Sequence, residues 1–199
     1  MLTTIDNCKI DFSSGNKNLL DSFKKKYQPK STASLDNHTE NFKQETINEI
    51  VLWKVNRYAE IPESTLSKIN KINKNSTELD ITLTKEIISE LLKTTNKGFG
   101  LPMISTILRF KNPEVYQIID QRVYRFIYGK NLKLKNTSIQ NEIDIQVELY
   151  LTYLDHLRKK CKEHNIPFRD ADRILYLIDK NENKKIPLDK YGIRKEPSE

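Results

Sequence analysis

The feature that most restricts this chain's fold is the spacing of its apolar residues. They recur at intervals of three and four in segment after segment. Over residues 138–163, Ile139, Ile143, Val147, Tyr150, Leu151, Leu154 and Cys161 fall on one helical face with charges elsewhere, and the run ends before Pro167. Ile47, Ile50, Val51, Val55 and Tyr58 make a comparable stripe over 42–59, with Lys54 inside it. Further helices are expected at 17–27, at 63–72 after Pro62, at 85–94 behind a Thr84 cap, and at 169–179. Only 3–12 and 79–83 could be extended, and neither has a hairpin partner. An all-α fold follows.

At 199 residues and 37% hydrophobic content the chain can bury one core, so a single compact unit is the default. A Ser/Thr/Asn-rich connector at 30–39 divides an N-terminal extension with one short helix, 1–39, from a helical domain at 40–180. Residues 181–199 read as a charged tail. Cys8 and Cys161 are the only cysteines, and His38, His156 and His164 are scattered, so neither a zinc site nor an iron–sulfur cluster has ligands at metal spacing. No metal or other cofactor is expected. The first residues lack an apolar run behind a basic start, and no stretch is long and apolar enough for a membrane span, so a cytoplasmic protein with reduced thiols and no membrane partner is expected. A monomer is the expected state.

Two of only five glycines stand together as Gly98-Phe99-Gly100, between the helical run at 85–94 and an apolar helical run that opens with Pro102 and ends at Phe110. Glycine lets a backbone turn sharply and approach another closely, and the free N–H groups of the following helix's first turn can bind an anion such as a phosphodiester. Around this turn Lys97, Arg109, Lys111, Arg122, Arg125 and Lys130 face only Glu114 and Asp120, so 97–130 carries +4 of the chain's net +7. That local excess points to a polyanionic partner. An ordinary helical hairpin with a glycine C-cap and a solvated basic face accounts for the same residues.

Gly98-Phe99-Gly100, the helix 103–110, Asn112-Pro113, and Ile118-Ile119-Asp120 before a helix at 121–128 resemble the helix-hairpin-helix and Gly/Pro-Asp loop of the base-excision DNA glycosylase superfamily. Endonuclease III and the 8-oxoguanine glycosylases belong to it. The match is strongest over 92–128; Trp53-Lys54 to Arg57 and 169–175 are similar to segments of bacterial members. The resemblance implies a two-lobed helical fold without an iron–sulfur cluster, double-stranded DNA as the favoured partner, and a target base flipped into a cleft. Gly98, Phe99, Gly100 and Leu101, with Lys97, Arg109, Lys111 and Arg122, would then contact DNA.

By the same resemblance Asp120 falls on the catalytic aspartate. A carboxylate can stabilise the cation that develops on the sugar as an N-glycosidic bond breaks, or help to activate water. Asp120 also directly precedes a helix, where it can serve as an N-cap, and one carboxylate can do both. Bifunctional members carry a lysine two residues after the second hairpin glycine; here that position is Pro102, so a monofunctional enzyme or lost activity is implied. Ile104 stands where a small residue is usual. Lys54 offers a pocket or phosphate-binding amine, even an alternative nucleophile, against a stem that packs while its head reaches water. Trp53, Tyr116 and Tyr124, with Tyr128, are the aromatic candidates for stacking on an extruded base, with core packing as the competing role. Arg169, Asp170, Asp172 and Arg173 are expected to form ion pairs.

The expectation is thus a monofunctional DNA glycosylase of the hydrolase class acting in base-excision repair. A noncatalytic nucleic-acid-binding protein of the same fold and a helical protein-interaction domain are the alternatives.

Overall fold

The structure, a computed structural model, describes residues 34–39, 41–54, 61–93, 99–135 and 138–188. The expected helix at 17–27, the extended stretch at 3–12, Lys97, Gly98, Val55, Arg57, Tyr58 and the side chain of Lys54 lie outside the described residues. Every regular element among the described residues is helical, and no helix is long and apolar enough to cross a membrane. The chain divides into two units, Met1–Tyr58 and Ala59–Glu199, a later division than the composition boundary at 39/40.

In the first unit, helix α1 spans Gln44–Lys54. Thr46 is buried, whereas Ile47 and Val51 of the apolar stripe, and Leu52 beside it, are exposed.

The second unit holds the rest: α2 (Glu63–Lys71), α3 (Ile81–Lys93), α4 (Leu101–Lys111), α5 (Gln121–Tyr128), α6 (Gln140–Glu163), a 3-10 turn at Phe168–Asp170, and α7 (Ala171–Glu182). Helix α3 begins four residues before the expected start. The Asp80 carboxylate accepts the Leu83 N–H at 2.9 Å and caps the helix, and Asp is among the strongest residues for satisfying a free helix-start donor. Thr84, expected as the cap, is instead a buried residue of the first turn whose hydroxyl lies 2.8 Å from that of Tyr116. The stretch 79–83 accordingly runs into a helix and forms no strand.

Helix α3 packs against α2, α4 and α6, and α5 packs against α7. Ile87, Ile88 and Leu91 of α3, Leu101, Ile104 and Leu108 of α4, and Ile143, Tyr150, Tyr153 and Leu157 of α6 are all sealed from solvent. Each such apolar side chain stabilises the fold by roughly 1.5–3 kcal/mol relative to exposure, which explains why periodicity alone located these helices. Ile104 is absorbed into this core.

Helix α5 ends at Gly129, whose φ of 64° is the left-handed conformation that favours glycine at a helix terminus. Helix α7 reaches Glu182, beyond the expected end at 179. The Arg125 guanidinium donates to the carbonyls of Ile186 at 3.1 Å and Pro187 at 3.3 Å, so the segment read as a charged tail is part of the fold to at least 187.

Candidate functional site

The segment between α4 and α5, residues 112–120, has no regular structure, yet its polar groups are satisfied by buried side chains. Asn112 donates its amide to the carbonyls of Asn73 and Ser76 and accepts the Glu114 N–H. Gln117 donates to the Pro113 carbonyl at 2.9 Å and accepts the Asp172 N–H at 3.3 Å. The hydroxyls of Tyr150 and Tyr153 donate to the carbonyls of Gln117 at 3.0 Å and Ile118 at 2.7 Å, and the Ile119 N–H donates to Ser105 Oγ at 3.1 Å. Burial pushes both tyrosines well above their ordinary pKa; for Tyr153 the neighbouring Tyr150 and the carboxylates of Asp172 and Asp120 push further the same way. Both therefore remain neutral donors. A loop held at so many points delivers its last residue, Asp120, to a defined place.

Asp120 is half-buried and caps α5: its Oδ1 accepts the Arg122 N–H at 2.7 Å. Among the described residues no hydrogen bond reaches Oδ2. Asp120 shares the wall of an open cavity of about 420 Å³ with Ile118, Val123, Asp172, Arg173, Tyr176 and Leu177. The wall is almost entirely carbon, with Asp120, Asp172 and Arg173 among its residues, as in a site for a largely apolar ligand. Asp120 therefore combines the cap with a place on a cavity.

The structure separates the remaining expected site residues. Tyr116 is a core residue bonded to Thr84, and Tyr124 is buried against Tyr128; neither lines the cavity. Both take the core-packing role of the two open to them, because helix packing occupies their rings. Trp53 is half-buried in the first unit. Phe99 and Leu101 are buried core residues, and Gly100 is exposed as the N-cap of α4, with φ −102° and ψ 167°. A Cβ placed there would meet only Pro102 Cδ, at 3.7 Å. Neither conformation nor crowding within the described residues requires a glycine at 100. The first turn of α4 also offers fewer free amides than expected. Pro102 has none, and the Met103 N–H turns back to the Gly100 carbonyl at 2.9 Å.

Three members of the basic cluster, Arg109, Arg122 and Arg125, lie beside carboxylates from outside it. Arg109, expected on the DNA side, is buried, with Nε 3.4 Å from Asp172 Oδ2 and Nη2 donating to the Arg169 carbonyl at 3.0 Å. Arg125 grips Asp179 through two hydrogen bonds of 3.0 and 2.7 Å, and Arg122, 24% exposed, lies 3.3 Å from the same carboxylate. Burial alone would raise the Asp179 pKa; the hydrogen bonds from Arg125 and Asn183, with the charge of Arg125, outweigh it and hold the group below its ordinary value. Lys111 is half-buried and donates to Asn70. The expected ion pairs at the start of α7 do form: Asp172 with Arg109, Arg173 with Asp170, and Arg169 with Glu114.

Two cavity residues went unnoticed as pocket candidates in the sequence. Tyr176, 37% exposed, lines the cavity, and the Arg122 guanidinium carbon lies 5.6 Å from its ring centroid. Asp172, 3% exposed, lies in the same wall. Both stand on α7 more than fifty residues after Asp120, so no local pattern could link them to it. No protein-family model, curated protein or solved structure matches this chain.

Proposed function

We propose that this chain is a monofunctional DNA N-glycosylase, of a two-lobed helical kind in which α3 and α4, on either side of the Gly98-Phe99-Gly100 sequence, belong to a helix-hairpin-helix. The observation that carries the reading is Asp120, held by a pinned loop in the wall of an apolar cavity, with one carboxylate oxygen committed to the α5 cap and the other without a hydrogen bond among the described residues. A base rotated out of a duplex would enter the cavity between Ile118, Tyr176 and Leu177 and stack on the tyrosine ring. As the bond from sugar C1′ to the base nitrogen lengthens, positive charge develops on the sugar, and Asp120 Oδ2 offers it a fixed counter-charge. Water then adds its oxygen to C1′; one of its protons stays in the new hydroxyl and the other passes to the departing base. Pro102 leaves no amine for a Schiff base at the hairpin, so hydrolysis without strand cleavage is expected.

Duplex contact would fall on the exposed Gly100 turn and on Arg173, 63% exposed at the cavity rim. Arg109 is withdrawn from that role by its burial beside Asp172. The test is base release from duplex oligonucleotides carrying a panel of damaged and modified bases, with Asp120→Asn as control. Release by the natural chain and its loss in Asp120→Asn are expected; equal release by both refutes the reading, and duplex binding without release identifies a noncatalytic binder.

A further inference from the structure

Three consecutive residues before Asp120 are each held by a hydroxyl: Gln117 by Tyr150, Ile118 by Tyr153 and Ile119 by Ser105. Tyr150 and Tyr153 stand on α6, whereas Ser105 stands on α4. Ser105 is sealed from solvent, and its Oγ makes two bonds of opposite sense. It donates to the Pro102 carbonyl at 2.8 Å and accepts the Ile119 N–H at 3.1 Å. One hydroxyl has a single proton to give and lone pairs to receive, so this arrangement uses both capacities. The result is a continuous path from the first turn of α4, through Ser105, to the residue that carries Asp120.

Thr106 provides an internal control. Its hydroxyl also donates to the Pro102 carbonyl at 2.8 Å, but no hydrogen bond links it to the loop. Stabilising the start of α4 therefore does not require Ser105. What Ser105 adds is the bond to Ile119.

We infer that Ser105 is a positioning residue that sets Asp120 against the turn at Gly100, so that contact between that turn and a DNA backbone is transmitted to the carboxylate. This rests on the glycosylase reading for its consequence in catalysis, and on the hydrogen-bond geometry alone for the coupling. Loss of the Ile119 bond frees the loop at its last anchor before Asp120. A displacement of the reacting carboxylate of about 1 Å can cost on the order of a hundredfold in rate.

The experiment compares Ser105→Ala, Ser105→Cys and Thr106→Ala with the natural chain in three measurements: single-turnover base release, duplex affinity, and the Ile119 amide resonance as duplex containing an abasic site is added. Ser105→Ala should slow release by roughly tenfold to a hundredfold at unchanged duplex affinity. Ser105→Cys, close in size and a weak acceptor, should fall between and covers the case in which the alanine variant does not fold. Thr106→Ala should behave as the natural chain does. The Ile119 amide should shift on duplex addition in the natural chain and in Thr106→Ala, but not in Ser105→Ala. Equal behaviour of the Ser105 and Thr106 variants, or a Ser105→Ala effect confined to duplex affinity, overturns the inference. If no base is released yet the amide responds through Ser105, the coupling stands and the glycosylase reading fails. If base is released while the amide is silent and Ser105→Ala matches the natural chain, the coupling fails alone. Absence of both release and response removes both.

Discussion

The seam between α5 and α7 is built differently at its two ends. At one end Asp179 is sealed from solvent and its carboxylate receives Arg125, Arg122 and Asn183 together. At the other end Asp120 uses one oxygen for the helix cap, has no hydrogen bond to the other among the described residues, and lines a cavity with Ile118, Tyr176 and Leu177. Both aspartates belong to the same helix pair, but their unspent hydrogen-bonding capacity differs. A carboxylate whose acceptor sites are filled by buried donors holds a fold together; one with an oxygen left over, beside a cavity, can act on something that enters.

Substitution at each end should break this contrast in opposite ways. Asp120→Asn keeps a strong N-cap, so thermal stability should be almost unchanged while base release falls by roughly 10²-fold or more. Parallel melting and single-turnover measurements check this, and a large loss of stability would return Asp120 to a purely structural role. Asp179→Asn should do the reverse at the closed end. Removing one partner of a buried pair leaves an uncompensated guanidinium and costs about 3–5 kcal/mol, read as a lower midpoint in chemical denaturation.

The pH dependence of stability follows from the same residue. The folded pKa of Asp179 lies below its ordinary value of 3.8, so its contribution is present above that value and is lost as pH falls through the lower, folded pKa. Asp179→Asn should flatten this acid limb in pH-dependent denaturation, and an unchanged limb would mean that other carboxylates dominate it.

Tyr176→Ala sharpens the open end at smaller amplitude. If the ring stacks on an extruded base, its loss should cost about 1–3 kcal/mol of productive binding, measured as weaker saturation by lesion duplex with affinity for abasic duplex unchanged. The smallest effect on the fold is expected at Gly100. An added Cβ meets only Pro102 Cδ at 3.7 Å and the backbone there suits any residue, so the entropy alanine removes from the unfolded chain is offset by its weaker N-cap, and Gly100→Ala should change stability by less than about 1 kcal/mol. A simultaneous drop in duplex affinity would show that the glycine leaves room for a ligand backbone.

The two ends also show where sequence reading works and where it stops. Asp120 was legible because a resemblance and a cap position coincide on one short segment. Arg109 was misjudged for a corresponding reason. The window 97–130 counts six basic side chains against two acidic ones, but Asp172 and Asp179, which neutralise Arg109 and Arg125, lie outside it. Charge summed along the chain is a one-dimensional quantity, whereas desolvated pairing is decided by neighbours in space. Tyr116 and Tyr124 take the core-packing alternative, since an aromatic ring near a site in sequence can equally complete the core.

The sequence by itself determined that the described chain is helical, because a repeat of three and four buries one face of a helix and no other regular structure. It determined the order of those helices, the carboxylate at the start of α5, and a proline at position 102. The tertiary structure alone decided which cations are spent on Asp172 and Asp179, that Tyr176 rather than Tyr116 or Tyr124 lines the cavity, and that Ser105 ties Ile119 to α4. Each of these depends on side chains brought together from separate helices, and such meetings are set by packing, which leaves no local periodic trace in the chain.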